Sequence, residues 1–303
     1  MDQDTKKRQA GEGRPATNVG DPSVFDAGSA ARQTSAARQF LVRSGFGIAY
    51  AVIFIACLLL GPIPTALLVS IMSWLCCYEV YRMMRLDGKV PNEFIGLVAA
   101  VLFPLSALGA SVLLTAVLFL LMLSVGLWYV YSPRTRLADV AVTIFAPLYT
   151  GFMLSSIVLT RSSLPGFPGA LLSIGICASL WLSDSFAYMV GSRFGKHKMA
   201  PKISPKKSWE GFAGGMAGSV LVWLAVYATG FYNISLPLAL FCGVAVSLLG
   251  VFGDLIESRI KRGVGVKDSG NLIPGHGGML DRTDSLIFGC ITAHLILSIG
   301  GVI

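Results

Sequence analysis

The sequence predicts an all-α polytopic membrane protein, a bundle of about nine transmembrane helices around a polar cavity open to the cytoplasm. Three observations predict it. Of the 303 residues, 54% are hydrophobic and 13% charged, with mean hydropathy +0.70, whereas a soluble domain carries about 25% charged residues. Apolar runs of about 17–25 residues, each long enough to cross a bilayer as a helix, recur from residue 44 onward. Nearly all basic residues fall into alternate breaks between those runs.

Residues 1–40 come first and are polar, with no apolar period. Such a segment cannot repay its ordering entropy, so a disordered cytoplasmic tail is predicted. A transit peptide is disfavoured by Asp2, Asp4, Glu12, Asp21 and Asp26, because such peptides are poor in acids. Residues 41–303 then form the transmembrane domain. Its expected spans are 44–61, 63–82, 94–110, 112–131, 138–160, 169–191, 210–231, 235–257 and 284–302. The breaks carry turn residues such as Gly61-Pro62, Gly88, Pro91, Pro133, Pro165, Pro168, Pro237 and Pro274. The weakest break is Gly109 to Ser111. With the N-terminus inside, 23 of the 24 Lys and Arg residues lie on the cytoplasmic side, and only Arg161 does not. This positive-inside sorting places the N-terminus in the cytoplasm and the C-terminus outside. It also accounts for the net charge of +8 without nucleic acid. The six cysteines all lie in apolar runs without C-x-x-C spacing, and read as small buried hydrophobes.

Polar chemistry concentrates between residues 184 and 284. Asp184 lies inside an otherwise apolar span, where an ionised carboxylate is costly unless paired, hydrated or metal-bound. Tyr188 and Gly191 share its helix face. In the next cytoplasmic loop, Ser204-Pro205 reads as a helix N-cap and first residue. Lys206 and Lys207 would then stand in a first turn, unfavourable without an anion, and Ser208 follows them. The bland alternative is a topology signal attracted to anionic headgroups. Gly211, Gly214, Gly215 and Gly218 form two G-x-x-x-G pairs, best read as close packing within the chain. Asp254, Glu257, Ser258 and Lys261 repeat at i, i+3, i+4 and i+7, one helical face. A salt-bridge ladder and a metal ligand at Asp254 are both compatible with that face.

The loop from Ser258 to Asp284 is cationic and glycine-rich between two apolar runs. Lys261, Arg262, Lys267 and Arg282 suit phosphate oxygens. Gly275, Gly277 and Gly278 let the backbone approach a bulky anion. Asp268, Asp281 and Asp284 are hard oxygen ligands suited to Mg²⁺, although one of the last two could simply cap the final helix. His276 could ligate, donate to phosphate or only shape its turn. Elsewhere, His294 reads as a hydrogen-bonded core residue. Glu79, near the inner end of span two, is expected to snorkel to the interface beside Arg82.

This loop resembles the phosphatidate cytidylyltransferase family, whose pattern reads S-x-x-K-R, four residues, K-D, then P-G-H-G-G-x-x-D-R-x-D. Every fixed position is met, from Ser258, Lys261 and Arg262 through Lys267 and Asp268 to Pro274, Asp281, Arg282 and Asp284. The usual D-x-x-A-Y, G-x-x-F-G-K and S-P-K-K-T-x-E-G blocks also recur from Asp184 to Gly211, with Ser208 in place of Thr. The specific resemblance covers residues 184–284 and implies cytidylyl transfer from CTP to phosphatidic acid with Mg²⁺. It implies catalytic roles for Asp254, Lys267, Asp281 and Asp284. Lys206, Lys207, Ser208, Ser258, Lys261, Arg262, His276, Gly277, Gly278 and Arg282 would bind substrate. Asp184, Asp254, Asp281 and Asp284 would hold metal. The expected partners are CTP, phosphatidic acid and the bilayer of a bacterial inner membrane; a second cation and a homodimer are further expectations. The rival readings are a CTP-dependent lipid kinase acting on an alcohol such as a polyprenol, and an ion-coupled transporter using Asp184 and Asp254.

Overall fold

The computed structural model describes residue 45, residues 47–270 and residues 277–303. The expected tail over residues 1–40 and the predicted site residue His276 lie outside them. Among the described residues, nine apolar helices follow one another: α1 (Gly47–Leu60), α2 (Pro62–Leu86), α3 (Glu93–Ser106), α4 (Ser111–Tyr131), α5 (Leu137–Ser163), α6 (Gly166–Phe194), α7 (Trp209–Ala228), α8 (Leu236–Gly263) and α9 (Leu280–Ile299). The weak break at Gly109 does separate two helices. Seven of the nine are long and apolar enough to cross a membrane, and the chain is an integral membrane protein. The expected count of nine spans does not carry over directly, because α1 and α3 have 14 residues each. At 1.5 Å per residue each reaches about 21 Å, short of a hydrocarbon core about 30 Å thick.

Prolines shape the first half. Pro147 has no N–H to offer the carbonyl of Thr143, and α5 continues through a π-helical turn over Leu148–Phe152. The freed Thr143 carbonyl accepts instead from the Tyr81 hydroxyl of α2 at 2.8 Å. Pro104 similarly frees the Ala100 carbonyl in α3. A side chain at Gly151 would come within 2.8 Å of that oxygen, so the π turn and α3 meet backbone to backbone. Helix α4 is nearly unburied by protein and presents Val112, Phe119, Leu120 and Leu127 outward, as suits a lipid-facing helix.

The second half carries the polar residues. Here the glycine stripe of α7 lies against α6. A Cβ at Gly211 would stand 2.8 Å from the Ala187 carbonyl oxygen, and one at Gly215 would stand 2.8 Å from that of Ser183. This is the packing within the chain expected from the G-x-x-x-G pairs. Helices α8 and α9 touch as closely, since a Cβ at Gly253 would lie 2.5 Å from the Asp284 carbonyl oxygen. His294 pairs through Nδ1 with the Thr160 hydroxyl at 3.1 Å, as a core residue should.

The loop between α6 and α7 departs from expectation. Residues Lys198–Ala200 (β1) and Ser204–Ser208 (β2) form a two-stranded antiparallel hairpin, with Lys198 opposite Ser208. Ser204-Pro205 therefore does not start a helix. Ser208 is the N-cap, and its hydroxyl accepts from the Gly211 N–H at 3.2 Å. The physical reason is electrostatic. A helix beginning at Pro205 would set two lysines against its positive end, whereas the observed start puts Glu210 in the first turn. Glu210 then accepts from the His197 ring at 2.6 Å and from the backbone N–H groups of Lys196 and His197.

Candidate active site

The polar ends of α6, α8 and α9 meet beside the hairpin. Helix α8 carries Asp254, Glu257, Ser258 and Lys261 on one face, as the i, i+3, i+4, i+7 spacing requires. Asp284 comes from the first turns of α9. Carboxylate oxygens of Asp254, Glu257 and Asp284 all lie within 4.8 Å of one another. Glu257 is fully buried and Asp254 and Asp284 half-buried. Among the described residues, the Oε1 of Glu257 has no hydrogen-bond partner. Three acids in such a space repel one another strongly, and an orphaned buried oxygen beside them fits a hard cation.

The cations around the trio divide into two kinds. Lys261 is committed: its Nζ stands 2.6 Å from Glu257 Oε2 and 2.6 Å from Asp281 Oδ1, fastening α8 to α9. Lys207, projecting from β2, reaches Asp254 Oδ2 at 2.7 Å at the edge of a cavity. Ser258 donates to the other oxygen of Asp254 at 3.2 Å.

Asp281 has a different environment from its neighbours. Its Oδ2 accepts from the backbone N–H groups of Gly278 at 2.8 Å and Ser269 at 3.0 Å, and from the Ser269 hydroxyl at 3.1 Å. With Lys261 on Oδ1, its acceptor sites are largely taken up. The carboxylate thus ties both flanks of the glycine-rich loop to α9. A Cβ at Gly277, where φ is +83°, would collide with it, so glycine is needed there on both counts.

Two cavities meet at Asp184. The larger, of about 570 Å³, is lined by Asp184, Asp254 and Lys198, Lys206 and Lys207 of the hairpin. The smaller, of about 290 Å³, is bounded by Tyr50, Ala51 and Trp181 on its apolar side and by Arg282, Asp284 and Ser285 on its polar side. Asp184 borders both, and the Ser285 hydroxyl donates to its Oδ2 at 3.4 Å. Tyr188 and Gly191 share the larger cavity with it.

The other predicted residues are placed as follows. Lys267 and Asp268 are exposed on the loop. The Arg262 guanidinium donates to the Val266 carbonyl at 2.8 Å. Gly278 is buried against the Glu79 carboxylate and Ser269. Ser208, Ser258 and Lys261 contribute to the site through helix capping and carboxylate contacts. Glu257, which is not among the expected metal ligands, enters the cluster.

Glu79 corrects the reading most. It does not snorkel to the interface: it is 4% exposed and accepts from Met279 N at 2.8 Å, Leu280 N at 2.9 Å and the Ser269 hydroxyl at 2.7 Å. Its lone carboxylate among apolar neighbours was the available signal. The proximity of Arg82 offered a surface partner that the structure does not use for it.

The profile of the cytidylyltransferase family matches residues 41–299. A phosphatidate cytidylyltransferase of Mycobacterium bovis is 31% identical over 314 residues, covering 96% of this chain and 98% of its own. The phosphatidate cytidylyltransferase of Bacillus subtilis is 35% identical over 257 residues, covering 80% of this chain and 91% of its own. A third, from Staphylococcus aureus, reaches 49% identity over 109 residues, 36% of this chain and 42% of its own.

Proposed function

Because the chain belongs to the cytidylyltransferase family, we propose that it transfers the cytidylyl group of CTP to phosphatidic acid, releasing pyrophosphate and forming CDP-diacylglycerol. The observation that carries this reading is the meeting of two unlike cavities at one acidic centre. The hairpin cavity offers Lys198, Lys206 and Lys207 to a triphosphate entering from the cytoplasm. The smaller one offers Arg282 to a phosphate monoester and Tyr50, Ala51 and Trp181 to apolar chain entering from the bilayer. CTP and lipid thus approach Asp184 from different directions.

A phosphate monoester has a second pKa near 6 and is largely ionised at neutral pH, so no side-chain nucleophile is needed. An oxygen of the lipid phosphate attacks the α-phosphorus of CTP, and the α–β bridging bond breaks to release pyrophosphate. The main obstacle is repulsion between two polyanions, which Lys206, Lys207 and Arg282 reduce. Asp254, Glu257 and Asp284 fit Mg²⁺ by their hard oxygen donors, by their mutual proximity and by the unpartnered Glu257 oxygen. Bound there, Mg²⁺ would neutralise phosphate charge and polarise the phosphoryl oxygens. Asp184 acts beside that trio and borders both substrates. Asp281 and Lys261 hold the trio and the loop in register, a positioning role in place of the metal and phosphate contacts expected of them. Lys267, exposed on the same loop, is left free to reach a phosphate.

We further assign residues 41–303 to the membrane-embedded catalytic unit, with residues 1–40 a cytoplasmic tail and the C-terminus outside a bacterial inner membrane. The distribution of basic residues supports that orientation. Purified protein given radiolabelled CTP, phosphatidic acid and Mg²⁺ tests the reaction. Labelled CDP-diacylglycerol with release of pyrophosphate supports it. Release of CDP would indicate a lipid kinase and overturn it.

A further inference from the structure

We propose that Glu79 of α2 is a positioning residue of this site, acting through Ser269 and Asp281 on the row that ends at the three-carboxylate cluster. The inference rests on the site assigned above. Burying a carboxylate in an apolar helix is costly unless strong donors meet it. Those donors are specific here: two consecutive N–H groups at the start of α9 and one loop hydroxyl. The positive end of α9 favours the negative charge further. The fit is close, because a Cβ at Gly270 would stand 2.7 Å from Glu79 Oε1, and one at Gly278 would strike Oε2. Cys76, one turn earlier on α2, meets the Thr283 hydroxyl at 3.2 Å, so the contact between α2 and α9 continues beyond the carboxylate.

A simple helix cap would end at α9, but this contact continues inward. The Ser269 hydroxyl has one proton and two carboxylate acceptors, Glu79 at 2.7 Å and Asp281 at 3.1 Å. Asp281 passes the constraint to Lys261, and Lys261 to Glu257. Without the Glu79 charge, the hydroxyl and the first turn of α9 have Asp281 as their remaining carboxylate. Asp281 then turns toward them, Lys261 loses half of its cradle, and Glu257 is no longer fixed beside Asp254 and Asp284.

The test uses the full chain in detergent or nanodiscs, comparing wild type, Glu79→Gln and Ser269→Ala. Amide exchange at Gly278, Met279 and Leu280, measured without metal or substrate, should accelerate at least 10-fold in Glu79→Gln. The kcat for cytidylyl transfer should fall about 10–100-fold, as for outer-shell partners of a metal site, while KM for CTP changes less than about 2-fold because the hairpin lysines are untouched. Ser269→Ala removes one hydroxyl without stranding a charge, so it should fold even if Glu79→Gln does not, and should lower kcat about 3–10-fold. Faster exchange with unchanged kcat in both variants would overturn the proposal and leave Glu79 a structural cap. Unchanged exchange in Glu79→Gln would overturn it as well. If wild type itself makes no CDP-diacylglycerol, the assigned reaction fails instead, and the exchange measurement still decides the clamp.

Discussion

Asp284→Asn and Asp281→Asn should behave in opposite ways although the residues are three apart. Asp284 faces two other carboxylates within 4.8 Å. At an effective dielectric near 20, two unit charges at that distance repel by about 3 kcal/mol. Solvent reaching the smaller cavity, which Asp284 lines, would screen the pair, so replacing Asp284 by neutral Asn should stabilise the metal-free protein by about 1–2 kcal/mol net of screening, a rise of a few degrees in unfolding midpoint. The same change removes a hard anionic ligand, so turnover at limiting Mg²⁺ should fall about 10²-fold or more. Asp281 instead accepts from Lys261, Ser269 and Gly278. Asp281→Asn should therefore destabilise, by about 1.5–3 kcal/mol for lost hydrogen bonds to a charged acceptor. Its activity loss should persist at saturating Mg²⁺. The assay is pyrophosphate release per folded molecule across a Mg²⁺ titration, beside thermal unfolding in chelator. Normal turnover of Asp284→Asn at limiting Mg²⁺, with no gain in metal-free stability, would refute the reasoning. So would full rescue of Asp281→Asn by added Mg²⁺ with its stability intact.

Lys207→Met removes a cation from the nucleotide cavity and leaves Asp254 without its ion pair; KM for CTP should rise about 10-fold with KM for phosphatidic acid little changed, and an equal rise in both would remove Lys207 from the nucleotide side. Gly215→Leu must push α7 off the Ser183 carbonyl, so folded yield should fall sharply, at a cost of about 1–3 kcal/mol or more for overpacking; wild-type yield would mean that α6 and α7 are not tightly apposed. Reporter fusions at Lys89, Arg134, Lys202 and Val302 should read inside, inside, inside and outside. A cytoplasmic signal at Val302 would overturn the assigned orientation.

What the sequence makes legible is what depends on composition and short spacing. Apolar run length locates the nine described helices, because the bilayer imposes a length that the chain must meet or visibly miss. The face bearing Asp254, Glu257, Ser258 and Lys261 is legible because helical spacing alone determines it. Partner choice is not. Lys261 looks like a phosphate ligand by residue type, and only the approach of α9 shows that Glu257 and Asp281 hold it. Asp281 and Asp284 look alike in sequence, yet one meets three backbone or side-chain donors and a lysine, while the other accepts from the Ser285 N–H at 2.7 Å and faces two carboxylates. That difference comes from a loop closing back on the helix start, a contact of tertiary origin. The hairpin at residues 198–208 was hidden because its outer residues are lysines and a proline, with too few apolar positions to show a period of two.

Arg161 connects the topology argument to the packing. It is the one basic residue outside the cytoplasmic sorting, and its position near the opposite end of α5 would normally weaken that sorting. The structure removes the difficulty: Arg161 is 3% exposed, and its Nε donates to the Leu58 carbonyl at 2.7 Å. Leu58 lies in the last turn of α1, where carbonyls lack partners within the helix and the dipole is negative. A positively charged residue there fastens α1 to α5 and is withheld from water and headgroups. Topogenic charge acts through exposed loops, so a buried cation does not count against the orientation. The same reasoning separates Lys261 from Lys206 at the other end of the bundle. Among the described residues, the buried cations Arg161 and Lys261 join helices, while Lys206 lines the larger cavity, where a phosphate would meet it.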